Sequence, residues 1–260
     1  MGCGMSSDRY GDGHYIPRVL PPLSRTSSRP PSYEASLTHP SLLMRLDKQV
    51  HQVECGSGDP ESVVTLSVQF LEAVCNDLHS YFAGEFGFLV PEIRDAIVLS
   101  DRDMRRMNAE SRIKHALRCL RFPYEAEALP TMRSLSALVS VRNRLTHPPI
   151  NEGASFDGPK TPRLREWPKV VRSLVSLGVI PLPRNVRSTQ CQELLAQDEV
   201  ALWAAETALE AAALVMSMIP TMILCEHFSG GFTSYLRDGN TESALFAERA
   251  LGAAPFSWLE

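Results

Sequence analysis

The sequence lacks the short motifs that mark the commonest nucleotide-dependent and covalent enzymes. It contains no GxxxxGK[ST], GxGxxG or GxSxG pattern, which argues against nucleotide hydrolysis, dinucleotide redox chemistry and the common serine hydrolases. Its seven histidines show no HxxxH spacing, and its six cysteines form no CxxC pair. We therefore expect no metal, no cofactor, and thiols that stay reduced in the cytoplasm.

A long apolar run and a secretory leader are also lacking. The longest uncharged stretch, 211–225, has 15 residues and includes Pro220, which is short of the roughly 20 residues that cross a bilayer. The first residues contain no apolar segment of the kind found in secretory signals. We interpret 211–225 as part of a buried helix and expect no stable membrane insertion.

The charge that is present is unevenly distributed. The formal net charge is -4, yet residues 102–187 hold 17 Lys/Arg against 7 Asp/Glu, a balance of +10. A basic centre between acidic ends indicates an anionic partner such as nucleic acid. Ion pairing between the centre and the ends explains the same pattern, and charge alone favours neither interpretation.

Composition and periodicity divide the chain into three parts. Residues 1–58 are rich in Gly, Pro and Ser, and we predict a disordered tail, in which 40–53 would allow a short helix. Residues 59–225 carry helical periodicity and form the predicted bundle. Residues 226–260 are a C-terminal extension with one short helix capped by Thr241. No strand-like alternation occurs, so we predict an all-α fold, a four- to five-helix bundle.

Within the predicted bundle, apolar spacing and capping residues mark the helices. Asp59 caps the first, over about 59–82, and a second helical stretch runs from about 101 to 120. The third covers 132–146, and 164–177 is a weaker helix broken near Pro168 and stopped by Gly178. The longest continues from about 200 to Pro220.

Two short motifs lie in the tail. Residues 1–6 match the N-myristoylation pattern at Gly2, with Cys3 available for a second acyl chain. Residues 30–33, Pro-Pro-Ser-Tyr, resemble a ligand of WW domains. A lipid-anchored adaptor is therefore a third interpretation, ranked last because motifs this short arise by chance.

The most unusual stretch ends the helix over 132–146. Its apolar face contains Leu135, Leu138 and Leu145, and Arg142 falls in the middle of that face. Asn143 and His147 lie four residues apart along one edge. The helix ends at His147, because the residue before Pro148 is pushed out of the α region.

Other charged residues complete the candidate site. Asp77 lies within the apolar arc of the helix over 59–82, and we predict that it pairs with Arg142, since an unpaired buried charge is costly. Arg144 projects to the side opposite Arg142, as a solvated arginine would. We expect it to contact nucleic-acid phosphates together with the basic outer face of the second helical stretch, which includes Arg112, Lys114 and Arg118.

Arg142-Asn143-x-x-x-His147 at the end of a bundle helix resembles the HEPN family. The signature of that family is an arginine, four to six residues and a histidine, often with asparagine directly after the arginine. The resemblance covers about residues 60–220 and implies a four- or five-helix bundle. Many members are metal-independent endoribonucleases that act as homodimers with a composite active site.

The resemblance implies a role for each motif residue. His147 would be the general acid or base in attack of an RNA 2′-OH on the adjacent phosphate. Arg142 would stabilise the developing charge or hold the motif in shape, and Asn143 would position the phosphate or His147. The expected setting is a toxin or defence system, with an antitoxin or other protein as a further partner. The alternative is a non-catalytic module that binds RNA or protein. Two further alternatives involve no chemistry: Arg142 has a structural role only, and His147 only ends its helix.

Overall fold

The structure, a computed structural model, describes residues 37–83, 101–120, 129–147, 153–155, 163–182, 188–219 and 241–246. These residues form an all-α bundle, as predicted. Its helices are α1 (His39–Glu54), α2 (Pro60–Ala83), α3 (Asp101–Arg106), α4 (Ala109–Cys119), α5 (Pro130–Thr146), α6 (Lys169–Ser176), α7 (Cys191–Leu195) and α8 (Asp198–Met218). A 3-10 turn, Leu164–Glu166, precedes α6.

The long helices α2 and α8 form the centre of the bundle. They pack against each other, α1 packs on both, and α5 also packs on both. Helix α2 contributes large buried side chains such as Phe70 and Leu78, whereas α8 buries a row of alanines. Small side chains let two helix axes approach closely. By length and composition α8 could span a membrane, and 61% of its most apolar stretch is buried inside the bundle.

Several predicted helix ends are confirmed. Asp59 accepts the backbone N–H of Glu61, and Pro60 occupies the first position of α2. Gly178 follows α6 with a φ of 75°, the left-handed conformation that glycine adopts without steric cost. The predicted break near Pro168 lies between the 3-10 turn and α6.

The helical stretch over 101–120 is two helices instead of one. It breaks at Met107 and Asn108, and the Asn108 side chain accepts the backbone N–H of Ser111 at 2.9 Å. Asparagine competes for backbone hydrogen bonds in helix interiors and is favoured at N-caps. The correction therefore follows from the chemistry of one residue.

The bundle begins earlier than the predicted boundary after residue 58. Helix α1, which the sequence allowed over 40–53, buries Leu43, Leu46 and Val50 completely. At its start, Asp77 of α2 accepts the backbone N–H groups of Thr38 and His39. A helix with four core side chains and a cap from its neighbour belongs to the fold. Residues 1–36 lie outside the described part of the chain.

The C-terminal extension also joins the bundle. The buried carboxylate of Asp47 accepts the N–H groups of Glu242 and Ser243, at 2.7 and 3.2 Å. Glu54 accepts the next two backbone N–H groups, and the Ser243 hydroxyl accepts that of Phe246, which is fully buried. Ser243 therefore caps this turn, where we predicted Thr241. The predicted continuation to about 251 lies outside the described residues.

A short antiparallel ladder accompanies the helices. Gly153–Ser155 (β1) pairs with Ser188–Gln190 (β2), with Ala154 opposite Thr189. Three residues per strand are too few to show an alternating pattern, which explains why periodicity predicted no strand.

Candidate functional site

A groove of about 580 Å³ runs between α5 and α6. The α5 side of this groove is a polar stripe with a spacing of three or four residues, so its members share one helix face. The α6 side begins at Pro168. The described lining residues are Arg133, Ser136, Ala137, Ser140, Asn143, Arg144, His147, Pro168, Lys169, Val170, Ser173, Ser176 and Leu177.

Two of the three predicted catalytic residues, Asn143 and His147, line the α5–α6 groove. Both side chains are exposed. His147 is the residue at which α5 ends, with φ -131° and ψ 66°, and its backbone N–H donates to the Asn143 carbonyl at 3.0 Å. The last turn of α5 therefore fixes their relative position through the backbone. The predicted helix end before Pro148 is confirmed.

The third predicted catalytic residue, Arg142, is not among the groove-lining residues. Its Nη1 donates to the Asn143 Oδ1 at 3.0 Å, and its half-buried side chain holds Nε out of solvent. The arginine therefore contacts the groove through Asn143. This arrangement matches the predicted role of holding the motif in shape better than direct contact with a phosphate.

The predicted pair between Arg142 and Asp77 does not form. Asp77 Oδ2 lies 2.8 Å from Nδ1 of the buried His39 and accepts two backbone N–H groups. Among the described residues, no ion pair joins Asp77 to Arg142. Helical periodicity correctly placed Asp77 on the inner face of α2, but it could not identify α1 as the element packed against it.

Arg144 differs from the solvated side chain that we predicted. It is half-buried, lines the α5–α6 groove, and hydrogen-bonds the side chain of Cys191 at the start of α7. Burial raises the pKa of the Cys191 thiol, and the nearby guanidinium opposes that rise. The contact with Cys191 holds the Arg144 guanidinium at the edge of the groove.

The basic helix α4 contributes nothing to the described lining of the groove. Arg112 is committed to the fold, because its guanidinium donates to Asn76 Oδ1 at 2.7 Å and to the carbonyls of Met104 and Met107. Lys114 pairs with Glu110 at 2.9 Å. Arg118 alone of these three predicted RNA contacts is exposed. Three of the five N–H donors of Arg112 therefore have protein acceptors, and its contact with a phosphate stays a prediction.

Sequence reasoning missed the cations that do line the groove with Arg144. Arg133 and Lys169 are exposed there, and neither forms an ion pair with a carboxylate of the described residues. The signal for Arg133 was the polar period 133, 136, 140, 143 and 147 on α5. The sequence held no signal that would place Lys169 in the same groove, because helical periodicity does not predict which helices pack together.

The described groove lining contains no carboxylate and no Phe, Tyr or Trp side chain. Within the described part of the chain, no group of three or more His, Cys, Asp or Glu side chains could hold a metal ion. The groove instead combines three cationic side chains, one imidazole, one amide and four serines. This donor set suits a phosphate-bearing ligand.

Comparison with protein-family models, curated proteins and solved structures finds no match to this chain. The resemblance to the HEPN family therefore depends on the motif residues and the helical bundle alone.

Proposed function

We propose that this chain is a HEPN-type, metal-independent endoribonuclease that binds RNA in the α5–α6 groove. The observation that carries the proposal is the meeting of Asn143 and His147 with three cationic side chains in a groove whose described lining holds no carboxylate. Arginine and lysine neutralise phosphate, and an imidazole titrates near the working pH of a cell. A toxin or defence setting, with an antitoxin as partner, belongs to the same proposal.

In the proposed reaction, the RNA 2′-oxygen attacks the adjacent phosphorus and the bond to the 5′-oxygen breaks. The products are a 2′,3′-cyclic phosphate and a 5′-hydroxyl, so one proton leaves the 2′-OH and one reaches the leaving oxygen. His147 would move one of these protons. Arg144 and Lys169 would neutralise the phosphate, and Arg142 would position Asn143.

The protonation chemistry favours two copies of the chain. His147 is the one histidine in the described lining, and no carboxylate accompanies it there. Attack and departure need both a base and an acid. A homodimer with two His147 side chains facing one cleft would supply the pair. Sedimentation should then show a dimer, and catalysis should rise with the dimer concentration.

The deciding experiment compares wild type with His147→Ala on a synthetic RNA in the presence of EDTA. We expect wild type to release a 2′,3′-cyclic phosphate, identified by mass spectrometry, and the variant to be about 10²–10⁴-fold slower. His51→Ala is the matched control, because His51 lies on α1 and is not part of the groove lining. Equal cleavage by wild type and His147→Ala would refute the role of His147.

The same single imidazole also favours a second candidate, a non-catalytic HEPN-like module that binds RNA. One acid–base group in the described lining suffices for binding but not for the two proton transfers. This candidate predicts RNA binding by wild type and by His147→Ala alike, with no cyclic phosphate formed at any protein concentration. Binding of a protein partner with no affinity for RNA would contradict both candidates.

A further inference from the structure

The cations of the α5–α6 groove occupy two separate places along α5. Arg144 and His147 lie at its last turn, and Arg133 lies at its first. Eleven residues separate Arg133 from Arg144, which corresponds to about 16 Å along a helix axis. A single phosphate cannot contact both ends of such a groove.

Hydroxyl groups occupy the stretch between these two ends. Ser136 and Ser140 of α5 lie between Arg133 and Asn143, and Ser173 and Ser176 come from α6. The Ser140 hydroxyl donates to the Ser136 carbonyl and that of Ser173 to the Lys169 carbonyl. Polar side chains therefore occur along the whole groove, and the described lining holds no residue of negative charge.

The described lining contains no Phe, Tyr or Trp side chain, which limits what such a groove can recognise. Single-stranded nucleic acid is usually held by aromatic side chains on which bases stack, together with cations that follow the backbone. Here the described lining supplies only the second component. Cations contact phosphates, which carry no sequence information directly.

A second groove shows that this charge pattern is not general on the molecule. It lies between α1 and α2, has a volume of about 690 Å³, and presents charges of both signs. Arg45 and Lys48 face the same space as Asp59 and Glu61 there. Oppositely charged groups in one groove neutralise each other's field, whereas the α5–α6 groove concentrates one sign.

We infer that the α5–α6 groove holds the sugar-phosphate backbone of a nucleic-acid strand several nucleotides long, with Arg133 as a subsite remote from His147. This inference rests on the proposed function because it takes nucleic acid as the ligand of the groove, but it does not require that the ligand be cleaved. A stacked strand carries a phosphate about every 3.4 Å, so about 16 Å corresponds to roughly five nucleotides. The strand is read by its backbone and not by its bases.

The test measures binding of uncleavable 2′-O-methyl oligonucleotides of two and eight nucleotides by fluorescence anisotropy. Arg133→Gln should weaken binding of the octamer about five- to tenfold at low salt and leave the dinucleotide unchanged. Arg45→Gln is the matched control, since this exposed arginine of α1 is outside the lining of the α5–α6 groove and lies in the groove of mixed charge. Thermal unfolding of each variant verifies its fold.

Two further measurements test backbone recognition. With three or four cations engaged, the logarithm of the octamer affinity should fall against the logarithm of salt with a slope of about -2 to -3. Arg133→Gln should reduce that slope by about 0.7. Octamers of uridine and adenosine should bind within about twofold of each other, because the described lining offers no Phe, Tyr or Trp side chain on which a base could stack.

Three outcomes would overturn the inference. An equal loss for the dinucleotide and the octamer would make Arg133 part of one compact phosphate site. Strong discrimination between uridine and adenosine would require base contacts. Binding of an oligoglutamate peptide as tight as that of the octamer would make the groove a site for acidic protein. Because the probes cannot be cleaved, a failure of catalysis by His147 leaves this test unaffected.

Discussion

Asp77 of α2 and His39 of α1 form a buried pair, with 2.8 Å between Oδ2 and Nδ1. The same carboxylate oxygen accepts the backbone N–H groups of Thr38 and His39, at 2.7 and 2.8 Å. Three donors thus converge on one carboxylate that is 7% exposed. The neighbouring helix supplies the N-terminal cap of α1, since Thr38 makes no side-chain cap of its own.

Replacing Asp77 should therefore destabilise the protein through α1. We expect Asp77→Ala to lower the free energy of unfolding by about 2–4 kcal/mol, because it leaves three buried or part-buried donors without an acceptor. Urea denaturation measures the change. In a double-mutant cycle, the effects of Asp77→Ala and Arg142→Gln on the free energy of unfolding should be additive, with a coupling energy below about 0.5 kcal/mol. A larger coupling energy would be evidence that Asp77 pairs with Arg142.

Asp47 and Glu54 should contribute unequally to holding the C-terminal turn. Asp47 is fully buried, whereas Glu54 is exposed and its backbone donors can turn to water. We expect Asp47→Ala to cost about 1–3 kcal/mol and Glu54→Ala less than about 1 kcal/mol. Limited proteolysis should cut near residues 241–246 faster in Asp47→Ala. Equal protection in both variants would contradict this difference.

Arg112 and Arg118 separate structural from surface roles on α4. Arg112→Ala removes donors to Asn76 and to two carbonyls near the α3–α4 junction, so we expect a loss of about 1–3 kcal/mol in stability. Arg118→Ala should stay within about 0.5 kcal/mol of wild type. Chemical denaturation measures the free energy of unfolding of both variants. Similar values would show that Arg112 has no structural role.

Glu210 of α8 makes stability depend on pH. Burial raises the pKa of this carboxyl, while a hydrogen bond to Thr131 opposes the rise. The folded protein therefore binds this proton more tightly than the unfolded chain does. The resulting contribution of Glu210 to stability is lost as pH rises through its raised pKa. At neutral pH, Glu210→Gln should stabilise the protein by less than about 1 kcal/mol, since the group is only part-buried.

Denaturation of wild type and Glu210→Gln across pH 4 to 8 checks the sign. The advantage of the variant should grow with rising pH, and Thr131→Val should reduce the stability of wild type most where Glu210 is ionised. A variant whose advantage shrinks as pH rises would reverse the assignment. Glu206→Gln, one turn away on α8, is the matched control.

Helical periodicity, proline positions and capping residues predicted much of the architecture. Each of α2, α5 and α8 carries an apolar stripe. Asp59 and Pro60 mark the start of α2, Pro148 follows the end of α5, and Pro220 follows the end of α8. Periodicity also gave the correct inner face to Asp77. It failed at 101–120, where Asn108 interrupts one apolar stripe by capping a second helix.

The candidate site shows the limit of the same reasoning. Helix geometry fixes the relation of residues four apart, so spacing predicted that Asn143 and His147 share one edge of α5. Their roles came from the resemblance of the motif to the HEPN signature. Arg112 looked available because charge can be counted in a sequence, whereas its three acceptors cannot. Arg133 was not predicted because it lies on the exposed polar face of α5, whereas apolar periodicity identifies only the buried face.

The sequence by itself determined which segments become helices, where most of them end, and that Arg142, Asn143 and His147 gather in the last turn of α5. These are local properties, set by side-chain periodicity and backbone sterics within a few residues. Only the tertiary structure decided that Asp77 meets His39, that Arg144 meets Cys191, and that Lys169 faces Arg133's groove. Such pairings depend on which helices pack together between residues far apart in sequence, which no local pattern encodes.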